Sequence, residues 1–211
     1  MATIYLYDEI GPGYYGMLDG KWMADELAKA GGEDVELRIN SPGGSVFDGQ
    51  AMYTALASYK GNVTAKIDSL AASAASFVML AAKRIEIAEN AMVMIHRAWG
   101  LAWGNTKEMR DTADLLEKID GVMVRQYVAR TKQDERQVTE WMDAETWMDA
   151  QEAVDRGFAD AIGSPLAVKA CVRDGRFAKT PAHLLGPAAS ISPRVEAAAI
   201  RRRLRIARAN T

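Results

Sequence analysis

Two hydrophobic rhythms take turns along residues 1–163: short runs in which apolar and polar residues alternate, and longer runs in which apolar residues recur every three or four positions. The first pattern predicts half-buried strands and the second helices packed on one face. Strands are predicted at Ile4 to Tyr7, Val35 to Asn40, Val63 to Asp68, Arg84 to Ala88, Met92 to His96 and Phe158 to Ile162. Helices are predicted over Met17 to Ala30, closed by Gly31 and Gly32, over Val46 to about Tyr59, and around Ser73 to Ala82. The best helical pattern runs from Thr106 to Thr131, with Met109, Ala113, Leu116, Ile119, Met123 and Tyr127 on one stripe. At about 1.5 Å per residue that helix would be about 40 Å long, so part of it should project or pack on a neighbour. Asp149 and Glu152 have the spacing of a capping box, ahead of a short helix that Gly157 ends. Strands and helices that alternate in this way define an α/β protein.

The rhythm fades beyond Gly163, where Pro165, Pro181, Pro187 and Pro193 lie, and a domain boundary is expected near residue 164. Charge changes at the same place. The formal net charge of -2 is a cancellation, because residues 1–164 hold 16 Lys and Arg against 26 Asp and Glu, whereas residues 165–211 hold 10 against 2. A body of net -10 argues against a nucleic-acid-binding face on the globular part. A tail of net +8, with Arg201, Arg202, Arg203, Arg205 and Arg208, leaves an electrostatic partner open for the tail alone. The tail is expected to be partly disordered or to start a basic helix at Pro193.

Cys171 is the single cysteine, so an intramolecular disulfide is excluded and a reducing compartment is the simplest reading. The first ten residues have acidic side chains where a signal peptide needs basic and then apolar ones. Leu70 to Ala82, the longest apolar run, spans 13 residues, too short to cross a membrane and suited to a buried helix. These features predict a cytoplasmic protein without a membrane span.

The candidate chemistry narrows quickly, because there are only two histidines. His183 lies in the Pro-containing tail, where nothing predicts a packed site, whereas His96 ends a strand at an edge where function tends to be displayed. Among the serines, Ser73 is flanked on both sides by Ala-Ala and stands at a predicted helix start, where backbone N–H groups favour an oxyanion. A plain N-cap would use the same residue, and Ser69 and Ser76 are near alternatives. Ser41-Pro42-Gly43-Gly44-Ser45 follows a strand and precedes a helix. Its glycines can turn backbone amides towards a ligand or form an ordinary tight turn, and it lacks the Gly-Lys-Ser/Thr ending of a phosphate-binding loop. No His, Cys or carboxylate cluster has metal-ligand spacing, and no cofactor is called for.

Taken together and in order, Leu37 to Gly44, Ala71-Ala72-Ser73, Val93 to His96, and Met148 to Ala153 with Gly157 resemble the Clp protease proteolytic subunit family over about residues 1–163. The resemblance implies a crotonase-like repeated β-β-α spiral, with the long helix as a protruding handle by which rings stack, and hydrolysis of peptide bonds by a serine triad. It puts the nucleophile at Ser73, the base at His96, and the oxyanion donors at the amides of Gly43, with Gly44 as a second candidate beside it, and of Ala74. The third member, an aspartate in the family, falls on Glu145, with Asp143 as the competing assignment. Glutamate can orient an imidazole as aspartate does, although its extra methylene changes the reach.

Two further departures concern the ends of the sequence: the first strand starts near Ile4, where the family carries pore-loop residues that meet an ATP-driven unfoldase, and a basic tail (165–211) follows the body. With the Ala-rich nucleophile block and the Glu-Thr-Trp block, these features are similar to the Clp-related head-maturation (prohead) proteases of tailed bacteriophages. That resemblance implies capsid and scaffold proteins as polypeptide substrates, a homo-oligomeric ring or stacked rings, and a bacterial or phage-infected host cytoplasm. A housekeeping ATP-dependent subunit is the alternative within the family. Acyl-CoA chemistry on the same fold, a serine–lysine signal-peptide peptidase and a non-catalytic assembly protein are the alternatives outside it.

Overall fold

The computed structural model describes residues 1–12, 17–164, 172 and 176–185. In chain order the elements are β1 (Ala2–Tyr7), β2 (Gly11–Pro12), β3 (Met17–Leu18), α1 (Gly20–Ala30), β4 (Val35–Ser41), α2 (Val46–Ala57), β5 (Val63–Ala72), α3 (Ala74–Val78) with a 3-10 turn (Met79–Ala81), β6 (Arg84–Ala88), β7 (Met92–Ile95), α4 (Thr106–Thr131), α5 (Glu135–Asp143), β8 (Thr146–Met148), α6 (Ala150–Asp155) and β9 (Ala161–Gly163). This is the mixed α/β fold that the alternating rhythms imply. The chain divides into two units, Met1–Ala170 and Cys171–Thr211.

In the first unit, β1, β4, β5, β6 and β9 lie side by side and parallel. Strict alternation in β4 buries Val35, Leu37, Ile39 and Ser41 and leaves Glu36, Arg38 and Asn40 half-buried on the other face. On that second face Arg38 forks onto the buried Asp68 at 2.7 and 2.6 Å, and Tyr7 donates to the same carboxylate, so polar groups lock the register of β1, β4 and β5. β5 divides its length between two neighbours: Thr64 to Ile67 pair with β6, and Leu70 to Ala72 pair with β7. The register against β4 slips between Ile39 and Ser41, a bulge that re-aims the end of β5. β7 in turn pairs antiparallel with β8.

The helices pack tightly where small residues let them. A Cβ on Gly20 would lie 2.3 Å from that of Ala51, which brings α1 against α2, and one on Gly49 would lie 3.2 Å from that of Ala74, which brings α2 against α3. The long helix begins with a capping box at Asn105 and Glu108 and runs over Thr106–Thr131, the span that the stripe predicts. Its C-terminal half carries the buried Ile119, Met123, Val124 and Tyr127, while most of its first half is exposed.

Four expectations are corrected. α1 starts at Gly20, because the Asp19 carboxylate accepts the Trp22 N–H at 2.7 Å and caps the helix there; Met17 and Leu18 form a short strand instead. Leu70 to Ala72 belong to β5, since small residues buried between two neighbouring strands suit a central parallel strand as well as a helix. The helix expected at Ser73 to Ala82 shrinks to Ala74–Val78 and a 3-10 turn. The last strand is Ala161–Gly163, and Phe158 is a core residue packed on Tyr127 and Trp141. Three elements went unread: the two-residue β2, α5, whose buried Val138 and Met142 give it only one short stripe, and the three-residue β8.

In the second unit, an exposed His183 lies in a 3-10 turn (Ala182–Leu184), and Val172 bridges to Leu185. Cys171, Pro165, Pro187, Pro193 and the expected basic helix lie outside the described residues. Among the described residues, no helix is long and apolar enough to cross a membrane.

Candidate active site

Four strand ends meet at one place, and the pairing registers explain why. Parallel pairing of Ala72 with Met94 sets Ser73, the residue after β5, beside the end of β7, and the Ser73 N–H donates to the Met94 carbonyl at 2.9 Å. His96 is the residue after β7. Antiparallel pairing of Ile95 with Thr146 makes Glu145, the residue before β8, the next step opposite His96. Pairing of Ser41 with Ala71 brings Pro42-Gly43-Gly44 to the same edge. Such loops at the carboxyl ends of parallel strands are where α/β proteins gather their functional groups.

Ser73 has φ 53° and ψ -124°, a backbone conformation that L-residues with side chains rarely adopt. Ser73 stands at the N-cap of α3 but its side chain makes no capping bond there, and its hydroxyl lies 2.7 Å from Nε2 of His96. The imidazole is buried, at 9% exposure, and burial pushes its pKa below the ordinary histidine value, while the charges of Glu145 and, less strongly, Asp120 push it back up. A neutral ring at neutral pH, in contact with a serine hydroxyl, is the arrangement a general base needs.

The glycine loop presses on this serine. A Cβ on Gly43 (φ 84°) would lie 2.5 Å from the Ala72 carbonyl oxygen, 2.7 Å from the Ser73 Cβ and 2.8 Å from the Ala74 nitrogen, so only glycine fits. The two glycine amides differ in availability. The Gly43 N–H already donates to Ser41 Oγ at 3.1 Å, and that hydroxyl donates to the Asp8 carbonyl at 2.5 Å. The Gly43 carbonyl accepts from Ile10 N–H at 2.9 Å; because N–H and C=O point opposite ways across a trans peptide, the Gly44 N–H is turned away from Ile10. Gly44 is exposed, whereas Gly43 is buried. Ala74 follows Ser73 as the first residue of α3.

The carboxylates sort themselves by partner. Asp143 is 55% exposed and pairs with Arg97 Nε at 2.6 Å, an ion pair that holds its pKa below the usual carboxylate value. Glu145, at φ 48°, is half-buried and is the carboxylate felt most by His96. Asp120 is a group that sequence reasoning missed. It is buried on α4, accepts the Ala98 N–H at 2.7 Å and Arg97 Nη1 at 3.3 Å, and so ties the residues after His96 to the long helix. The legible signal was a carboxylate on the apolar side of that helix, between Ile119 and Met123. Of the alternative serines, Ser69 is buried in the bulged part of β5, and Ser76 is buried on α3 between the Ser73 carbonyl and the Tyr127 hydroxyl.

Comparison with known proteins converges on one family. The family model described as Clp protease matches residues 22–165. An ATP-dependent Clp protease proteolytic subunit of Oltmannsiellopsis viridis is 33% identical over 144 residues, 67% of this chain and 71% of that protein. Among solved structures, a mutant ClpP1 from Listeria monocytogenes has a similar fold, with a TM-score of 0.68 and 23% identity, over 77% of this chain and 91% of that one.

Proposed function

The chain belongs to the Clp protease family, and from that membership we propose that it is a serine endopeptidase with Ser73 as nucleophile, His96 as base and Glu145 as the third member of the triad. The observation that carries this reading is the 2.7 Å contact between Ser73 Oγ and His96 Nε2 at a strained turn. His96 takes the hydroxyl proton as Ser73 Oγ attacks the carbonyl carbon of a polypeptide substrate. The resulting oxyanion is held by the amides of Ala74 and Gly44, with Gly43 supplying the close approach that only a residue without a Cβ permits. His96 then protonates the leaving amine, and a water activated by the same ring releases the acyl group. Glu145 keeps the ring oriented and stabilises its cation. A fluorophosphonate probe is expected to label the wild-type protein at Ser73 and to leave Ser73→Ala unlabelled; equal labelling of both would refute the assignment.

We further propose that the protein is a head-maturation protease acting on capsid and scaffold proteins in a phage-infected cell, working as a homo-oligomer. The Ala-Ala-Ser-Ala-Ala block, the glutamate in Glu145-Thr146-Trp147 and the basic stretch 165–211 support that reading. Trp99, Leu101 and Trp103, which are 69%, 81% and 90% exposed between His96 and α4, support contact with another polypeptide there. The second reading, a housekeeping subunit fed by an unfoldase ATPase, is favoured by the match to an ATP-dependent proteolytic subunit over 67% of the chain. Cleavage of an unfolded protein and of capsid precursors by the purified chain without ATP would support the first. A strict requirement for an ATPase partner would establish the second.

A further inference from the structure

The hydroxyls of Ser76 and Tyr127 are buried beside the candidate site and have no part in the steps above. Ser76 grips the Ser73 carbonyl twice, with its N–H at 3.0 Å and its Oγ at 2.6 Å. Since a carbonyl can only accept, the single Ser76 hydroxyl proton is committed to it, and the 2.7 Å contact with Tyr127 has the phenol donating to Ser76 Oγ. The result is a relay from the long helix α4 through α3 to the backbone of Ser73.

We propose that Ser76 and Tyr127 are positioning residues for oxyanion stabilisation, holding the Ser73–Ala74 peptide from its carbonyl side and thereby aiming and polarising the Ala74 N–H. This rests on the serine-peptidase reading of the site. Across a trans peptide, fixing the C=O fixes the N–H in the opposite direction. A carbonyl that accepts two hydrogen bonds also makes its own N–H a better donor, since chained hydrogen bonds polarise one another. Ile10 N–H does the same from behind the Gly43 carbonyl for the Gly44 N–H, so both amides are set by a bond on the far side of their peptide.

The sequence context indicates that the hydroxyl is there for a purpose. Ala71, Ala72, Ala74 and Ala75 flank Ser73 and run up to Ser76, and alanine at 76 would fill a buried helical position with better propensity. Tyr127 is fully buried, with its ring centroid 5.6 Å from that of Phe158, and burial pushes the phenol well above its ordinary range, which keeps it a neutral donor. The five-residue α3 is too short to supply much helix dipole, which leaves these local bonds as the means of fixing the peptide.

The test compares Ser76→Ala and Tyr127→Phe, the latter keeping the ring and its packing, with wild type and with Ser73→Ala. In each relay variant kcat on a peptide substrate is expected to fall about 10- to 100-fold with KM nearly unchanged. A peptide aldehyde, whose adduct with Ser73 places an oxyanion at the amides, should lose affinity by a similar factor, while a product-like peptide should bind as before. The acid limb of the pH–rate profile should not move, because His96 is untouched. The proposal is overturned if both folded relay variants keep full kcat and aldehyde affinity, or if product and aldehyde affinities fall together. If Ser73→Ala is inactive while the relay variants are unimpaired, this inference alone fails; if Ser73→Ala stays active, the serine-peptidase reading fails and takes this one with it.

Discussion

Gly43→Ala isolates the pressure of the glycine loop on the nucleophile. Two costs can be worked separately. A residue with a Cβ in the left-handed region at φ 84° costs about 1–2 kcal/mol in backbone strain. The new Cβ would also lie 2.5 Å from the Ala72 carbonyl oxygen, against about 3.3 Å for a close carbon–oxygen contact, so atoms must separate by roughly 0.8 Å. The obstructing atoms are the Ala72 carbonyl, Ser73 Cβ and Ala74 nitrogen, which are backbone or fixed to it, so the serine and its neighbouring amide take up the shift. A displacement of about 1 Å at a reacting group costs about 100-fold in rate, equivalent to about 2.7 kcal/mol in the barrier. Initial rates on a fluorogenic peptide should therefore fall about 100-fold in kcat, with a modest loss of thermal stability. Gly31→Ala is the control: its φ is 63°, but beyond its own chain neighbours nothing lies within 4 Å of the added Cβ, so it should lower stability by about 1 kcal/mol and leave kcat alone. If Gly43→Ala kept kcat within about threefold of wild type while Gly31→Ala behaved as expected, the overlap argument would be wrong.

Glu145→Gln should lower kcat by about 100- to 10,000-fold. It should also move the acid limb of the pH–rate profile to lower pH, because the carboxylate raises the His96 pKa and its removal lets burial depress it further; a limb that moves up would contradict the assignment. Asp143→Asn breaks only an exposed ion pair with Arg97 and should change kcat by less than about threefold and stability by less than about 1 kcal/mol, whereas a loss matching that of Glu145→Gln would transfer the third role to Asp143. Because the fold lowers the His96 pKa, the neutral ring is favoured: its contribution to stability is fully present above the unfolded value of about 6.5 and is lost as pH falls through the folded value. Melts of wild type and His96→Gln between pH 5 and 8 should show the steeper acid-side decline in wild type, and parallel curves would refute the linkage.

Local chemistry made part of this site legible in the sequence. Ser73 between alanines, His96 at the end of an alternating run and the paired glycines after another such run are each readable within a few residues, and the stripe from Met109 to Tyr127 marks the long helix across its whole span. What escaped depends on partners distant in the chain. The competition between Glu145 and Asp143 turns on the pairing of Ile95 with Thr146, and β8 is too short to announce itself. The choice between the glycine amides turns on Ser41 and Ile10, and the long run from Leu70 looked helical because composition does not reveal that strands flank it on both sides.

The same dependence explains how a marginally stable protein can hold a strained serine. Ser73 at φ 53° costs of order 1–3 kcal/mol and persists only if its neighbours over-determine it. Its N–H is bound to Met94 of β7, its carbonyl to Ser76 of α3, its hydroxyl to His96, and its Cβ lies against the face of Gly43 that has none. The restraints come from three places, the end of β7, α3 and the loop after β4, so loosening one leaves others in place and should change rate before it changes fold. That ordering is why the relay and loop variants are read by kcat, with stability as the control.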